Sequence, residues 1–256
     1  MYNYAKDNFE KYIRDNYDID NEKISHKLNH TYHVVENARI IATDMNLDID
    51  NINLAMVIAL FHDIGRFEQV LDKNSFREDI IKYDHATLGV KLLFEDNLIR
   101  KFIKEDKYDD IIKVAILNHS KYNIDTSNMA DIEILHSKII RDADKVDSFR
   151  AKAEEDIYTM ANITKEDIES SYITDKVYND FMEEKTIISK DRKTGIDIWI
   201  SYIAFVFGLE FSSSLKIIKD KDYINLLFDR FDYKYEKDKM NVLRDKALSY
   251  IEKKVK

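Results

Sequence analysis

The chain has no cysteine, no proline and only four glycines in 256 residues. Without cysteine there is no disulfide framework and no thiolate metal site, and without proline no proline-rich or collagen-like segment. At the ordinary usage of about 5%, a chain of this length would carry roughly 13 prolines. Few positions therefore interrupt a helix, although an AT-rich gene would thin out the same residues. Long apolar runs are missing too: the longest, Ile198 to Leu209, falls short of the ~18 residues of a membrane span. The segment Met1 to Tyr17 is polar and charged and lacks the apolar region of a secretory signal, so a cytoplasmic location is expected. Basic charge is also short, with 40 Lys and Arg against 49 Asp and Glu and a net charge of −9. Nucleic-acid backbones and anionic membranes, which need a basic surface, are not expected partners. An anionic small molecule can still bind through a local cationic site.

What is present is enough for a sizeable core: 45% of the residues are hydrophobic and 12% aromatic, which argues against disorder. There is no Gly/Ser-rich linker and no fixed-period repeat, and low complexity is confined to Ser212–Ser214. Leu28, Val34, Val35, Ala38, Ile41, Ala42 and Met45 recur at helical spacing and predict a helix over about 24–45. Asp48 or Asp50 can cap a second over 51–61, for which Gly65 offers a stop. Further helices are expected at about 85–97, 109–119, 131–150, 152–161, 166–185, 196–211 and 236–254. No segment alternates with period two, so the fold class is all-α. Trp199, in the most apolar segment, reads as a buried core residue rather than a lid or dimer contact. Residues 190–195 read as a solvated loop.

Seven histidines stand at 26, 30, 33, 62, 85, 119 and 136. His30 shares its stripe with Val34, Ala38 and Ile41, His119 continues that of Ile112, Ala115 and Ile116, and His85 precedes Leu88, Gly89 and Leu92. One inward histidine is ordinarily a satisfied core residue. Three of them, with the pair His62-Asp63 at a helix end and Asp144 inside an apolar-flanked segment, call for a balancing charge, because buried imidazoles and carboxylates cost several kcal/mol unless paired. A metal supplies it, and imidazole with carboxylate suits Fe, Mn, Zn or Co. His26 and His33 read as surface or supporting residues and His136 as an exposed one.

The order His30, then His62-Asp63, then Asp144 within Arg-Asp-Ala-Asp-Lys-Val-Asp resembles the HD superfamily of metal-dependent phosphohydrolases, over roughly residues 22–150. His33 stands three residues after the first ligand, where relatives commonly have arginine, and His30 is accordingly taken as that ligand. The additional His85 and His119 resemble the subset that holds two metals. The cyclic-dinucleotide phosphodiesterases of that subset are a poorer match, since Asn118-His119-Ser120 has one histidine and no Gly-Tyr-Pro follows.

The resemblance implies an HD-like helical bundle over 22–150 and leaves the C-terminal part uncovered; the helices predicted there are expected to form an extension over 151–256 packed on the bundle, the whole being one helical domain. It implies His30, His62, Asp63, His85, His119 and Asp144 as ligands of one or two divalent ions, Fe or Mn foremost, with Zn, Co, Ni or Mg as alternatives. It further implies hydrolysis of a phosphate ester, a nucleotide or another small phosphorylated metabolite. An ion there lowers the pKa of water from 15.7 toward about 7 and polarises the phosphoryl oxygen. Arg66 and Lys145, each near a ligand in sequence, are the candidate cations for the phosphoryl charge, and Asp63 is the central catalytic carboxylate. The same ligands also resemble those of diiron oxygenases in this superfamily, and a non-catalytic nucleotide-binding regulator is a third reading. The pocket walls are expected around Phe67, Glu68, Gln69, the 72–84 segment and the C-terminal helices. The oligomeric state, including a homo-oligomer, stays open.

Overall fold

A computed structural model describes residues 1–73, 84–158 and 163–255, and every regular element among these described residues is helical. The chain divides into two compact units, Met1–Asp144 and Lys145–Lys256.

In the first unit α1 (Tyr2–Asn16) packs on α3 (Ile49–Phe61) and α6 (Ile99–Phe102), while α2 (Glu22–Asp44) lies along α3. Next come α4 (Ile64–Lys73), α5 (His85–Val90), which runs into a π-helical turn at Lys91–Glu95, and α7 (Asp109–Asn118). Three helix starts are fixed by capping side chains: Asp48, expected from the sequence, accepts from the Asn51 N–H, and Asn21 accepts from the Lys23 and Ile24 N–H and Asp84 from that of Thr87. The predicted helix over 24–45 is α2, and that over 51–61 is α3.

Gly65 does not act as the expected stop. The break falls at His62-Asp63, and a new helix begins at Ile64 with Gly65 in its first turn. No glycine has positive φ. What Gly65 permits is close approach: a Cβ there would lie 2.3 Å from the His85 carbonyl oxygen and 2.8 Å from the Gly89 nitrogen. Two backbones thus meet where His85 opens α5. Behind the break, Phe61 stacks on Phe102 with centroids 5.1 Å apart, and Phe9 meets Phe61, Phe67 and Phe102, each at 6.1 Å. These rings are fully buried; at about 1.5–3 kcal/mol per buried aromatic side chain they anchor both flanks of the His-Asp pair. Phe67 therefore belongs to this core and not to a pocket wall.

Helix α8 (Asp131–Glu154) runs through residue 151, where the sequence predicted a break between helices over 131–150 and 152–161. Asn37 Nδ2 on α2 donates to the Ala143 carbonyl at 3.1 Å, and His136 Nε2 lies 3.1 Å from Asn51 Oδ1 on α3. His136 is fully buried, a correction to its reading as exposed. Of the predicted 152–161 and 72–84 segments, residues 159–162 and 74–83 lie outside the described residues.

The second unit is built from α9 (Lys165–Glu169), α10 (Asp175–Met182), α11 (Gly195–Ile203), α12 (Ser212–Asp220), α13 (Tyr223–Asp229) and α14 (Lys237–Lys254), around a core of Phe149, Phe181, Trp199, Phe228 and Leu243. The predicted helix over 166–185 is two, α9 and α10, with the extended stretch before α10 tied by Asp197, which accepts from the Thr174 N–H and hydroxyl. The other end of the predicted 196–211 helix is a 3-10 turn, Ala204–Gly208. Trp199 is fully buried and donates to Tyr233 Oη at 3.1 Å, as a core residue. Among the described residues no helix is long and apolar enough to cross a membrane.

Candidate metal centre

Each of the six predicted ligands comes from a helix or a helix end of the first unit. His30 lies on α2, His62 and Asp63 in the break between α3 and α4, His85 at the start of α5, His119 just past α7, and Asp144 on α8. The structure brings all six together. His30 Nε2 is 3.3 Å from His62 Nε2 and 3.2 Å from Asp144 Oδ1. His85 Nε2 is 3.0 Å from His119 Nε2. Asp63 stands between the two sets: Oδ2 is 3.7 Å from both His30 Nε2 and His62 Nε2, while Oδ1 is 3.5 Å from His85 Nε2 and 3.8 Å from His119 Nε2.

Local backbone geometry decides which ring nitrogens face inward. His62 Nδ1 donates to the Ala59 carbonyl and His119 Nδ1 to the Ile116 carbonyl, both at 2.7 Å and both three residues back in a helical last turn. A carbonyl only accepts, so Nδ1 carries the proton and, in the neutral ring, Nε2 presents its lone pair to the cluster. This is the second-sphere arrangement that orients metal-binding imidazoles.

The donor set fits a metal on two counts. Imidazole nitrogens 3.0 Å and 3.3 Å apart need a proton or a cation between them. Donors about 2.0–2.2 Å from one ion at angles near 90–110° lie roughly 3.0–3.5 Å apart, close to the spacing seen. Among the described residues two groups able to hold an ion are formed, His30–His62–Asp144 and His62–Asp63–His119.

Electrostatics keeps the carboxylates charged. Burial pushes Asp63 up, but Lys27 and the imidazoles of His62, His119 and His85 outweigh it and hold the carboxyl well below the usual range. Burial likewise opposes Asp144, and His30, His62 and His119 bring it down. His62 is pushed down to about 4, chiefly by burial. Burial also opposes the charged form of His119, yet Asp63 and Asp144 carry it above its ordinary value.

Arg66 is placed beside the cluster, with Nε 3.9 Å from Asp63 Oδ1 and Nη1 donating to Gln69 Oε1 at 2.9 Å. Glu68 accepts from the Tyr17 hydroxyl at 2.6 Å. Lys145 is the first residue of the second unit, with its ammonium 5.8 Å from the Phe205 ring. His33 is exposed and His26 half-buried. The residue that sequence reasoning missed is Lys27, whose Nζ donates to Asp63 Oδ2 at 2.7 Å; its only signal is a position one turn before His30 on α2.

Comparison with curated proteins and with solved structures returns no match. The family model of the HD domain matches residues 28–148, a span that contains all six clustered side chains. Residues 28–148 are thus an HD domain, a member of a superfamily of mostly metal-dependent hydrolases.

Proposed function

We propose that the protein is a metal-dependent phosphohydrolase acting on a phosphate ester, either a nucleotide or another small phosphorylated metabolite. One or two divalent ions, Fe or Mn foremost, would be held by His30, His62, Asp63, His85, His119 and Asp144. The observation that supports this reading is the placement of Asp63, one oxygen toward His30 and His62 and the other toward His85 and His119, as a carboxylate shared by two ion positions requires. A divalent ion supplies a Lewis acid and lowers the pKa of water enough for attack near neutral pH.

The chain's own groups do the rest. The Nδ1–H bonds of His62 and His119 fix both rings before substrate arrives, so no reorganisation is spent in the reaction. Arg66, anchored on Gln69, holds a guanidinium at the edge of the cluster, where it offers paired donors to phosphoryl oxygens. The Asp144 side chain is 30% exposed while the other five ligands are at most 9% exposed, which marks the side open to a small molecule.

The test is phosphate release from a panel of nucleotides and small phosphate esters by Mn- or Fe-loaded protein, with Asp63→Asn alongside. Release that falls at least a hundredfold in the variant, together with loss of bound metal, is the expected result. No release from any compound by metal-loaded protein would overturn it; substrate-dependent oxygen consumption would then favour an oxygenase, and nucleotide binding without metal a regulator.

A further inference from the structure

Part of the negative charge of the cluster is met by the chain's own cations before any ion arrives. Asp63 and Asp144 bring two negative charges, and two cations stand against Asp63: Arg66 with Nε at 3.9 Å from Oδ1, and Lys27 with Nζ at 2.7 Å from Oδ2. The Lys27 contact is much the closer. It joins residues 36 apart in sequence, and the side chains are only 15% and 5% exposed. An ammonium desolvated to that degree costs several kcal/mol unless it is paired. Its partner oxygen is the one that faces His30 and His62, 3.7 Å from each Nε2. A positive charge therefore sits against the very carboxylate oxygen that an ion beside His30 and His62 would use.

We propose that Lys27 is a resident counter-ion of the metal centre: it holds Asp63 in position in metal-free protein, opposes entry of the divalent ion and gives up its hold on Oδ2 when the ion binds, so that it sets the metal affinity of the site. This rests on the reading that the cluster holds a divalent ion. Like charges a few ångströms apart in a buried setting repel far more than in water, so removing the ammonium should favour the ion whatever the later chemistry. Lys27 is a positioning residue here and is given no contact with the reacting atoms.

The experiment titrates Mn²⁺ into metal-stripped full-length protein, wild type and the variants Lys27→Met, Lys27→Gln and Lys27→Arg, by calorimetry, and records thermal melts with and without saturating Mn²⁺. Wild type is expected to bind. Lys27→Met and Lys27→Gln should bind at least tenfold more tightly, with a lower metal-free melting temperature but a larger rise on adding Mn²⁺, and Lys27→Arg should stay near wild type. If Lys27→Met folds only with Mn²⁺ present, seen by far-UV circular dichroism, the ion has taken over the role of the ammonium and the proposal is supported. A purely structural lysine would lower both melts equally and leave the affinity unchanged; that result, or weaker binding by Lys27→Gln, overturns the proposal while leaving the metal centre intact. Wild-type protein that binds no Mn²⁺ overturns the metal reading, and this inference with it.

Discussion

A buried imidazole must settle where its single proton goes, and the partner of one nitrogen decides what the other can do. His62 and His119 place that proton on a helix carbonyl and turn Nε2 into the cluster. His136 does the opposite. Its Nε2 lies at Asn51 Oδ1 and its Nδ1 is buried without a hydrogen-bond partner, so the ring is a neutral tie between α8 and α3. Burial pushes it down to about 4 from an ordinary 6.5. In the unfolded chain the ring takes up its proton near pH 6.5, in the folded protein only near 4. Between these values the unfolded state binds more protons, and stability falls as pH falls. Over the whole window this one residue accounts for about 2–4 kcal/mol. Denaturant melts across pH 4–7 should show a shallower decline for His136→Gln than for wild type; equal slopes would mean that folding does not shift the titration of His136. Of the six clustered residues, His30, His85 and His119 were legible because they interrupt apolar stripes, while His62, Asp63 and Asp144 were joined to them as one ligand set by the resemblance to the HD superfamily. His136 and Lys27 were not legible, because their partners, Asn51 and Asp63, lie 85 and 36 residues away and a lysine near a helix start ordinarily reaches water.

At the scale of elements, the centre depends on how closely α4 and α5 approach. Gly65 to Ala should gain roughly 1 kcal/mol of helix propensity, but its Cβ would meet backbone atoms at 2.3 and 2.8 Å, which cannot give way as a side-chain tip can. The clash decides the sign. We expect Gly65→Ala to lose about 1–3 kcal/mol of stability and to retain less metal, since α5 carries His85 toward Asp63. Gly89→Ala meets the Ile64 Cγ2 at 3.3 Å, a contact with room to yield, and should be the milder of the two. Thermal melts and metal content of the two variants check this; equal retention would mean that α5 is placed by other contacts. Helix existence was readable from periodicity at α2, α3 and α7. The helix that resumes at Ile64 was not, because Gly65 looks like a stop when the chain is read alone and like a packing contact only once α5 is beside it. The split of 166–185 into two helices was equally hidden, its cause being Asp197 accepting from Thr174 across 23 residues.

For the molecule as a whole, charge works at two ranges. The chain carries −9, a field that repels an anionic substrate at a distance, whereas Arg66 beside Asp63 attracts one at contact. The long-range part is screened once the Debye length shrinks from about 30 Å at 0.01 M salt to about 10 Å at 0.1 M, while interactions within a partly buried cluster are screened much less. Raising the salt over that interval should therefore remove repulsion and keep attraction. With a phosphorylated substrate of the proposed reaction, kcat/KM is expected to rise about twofold or more between 0.01 and 0.1 M salt, and to be flat for Mn²⁺-loaded protein acting on an uncharged ester analogue. A fall with salt would mean that the local cations dominate at every range, and would place the substrate's path along a positive strip that the overall charge conceals.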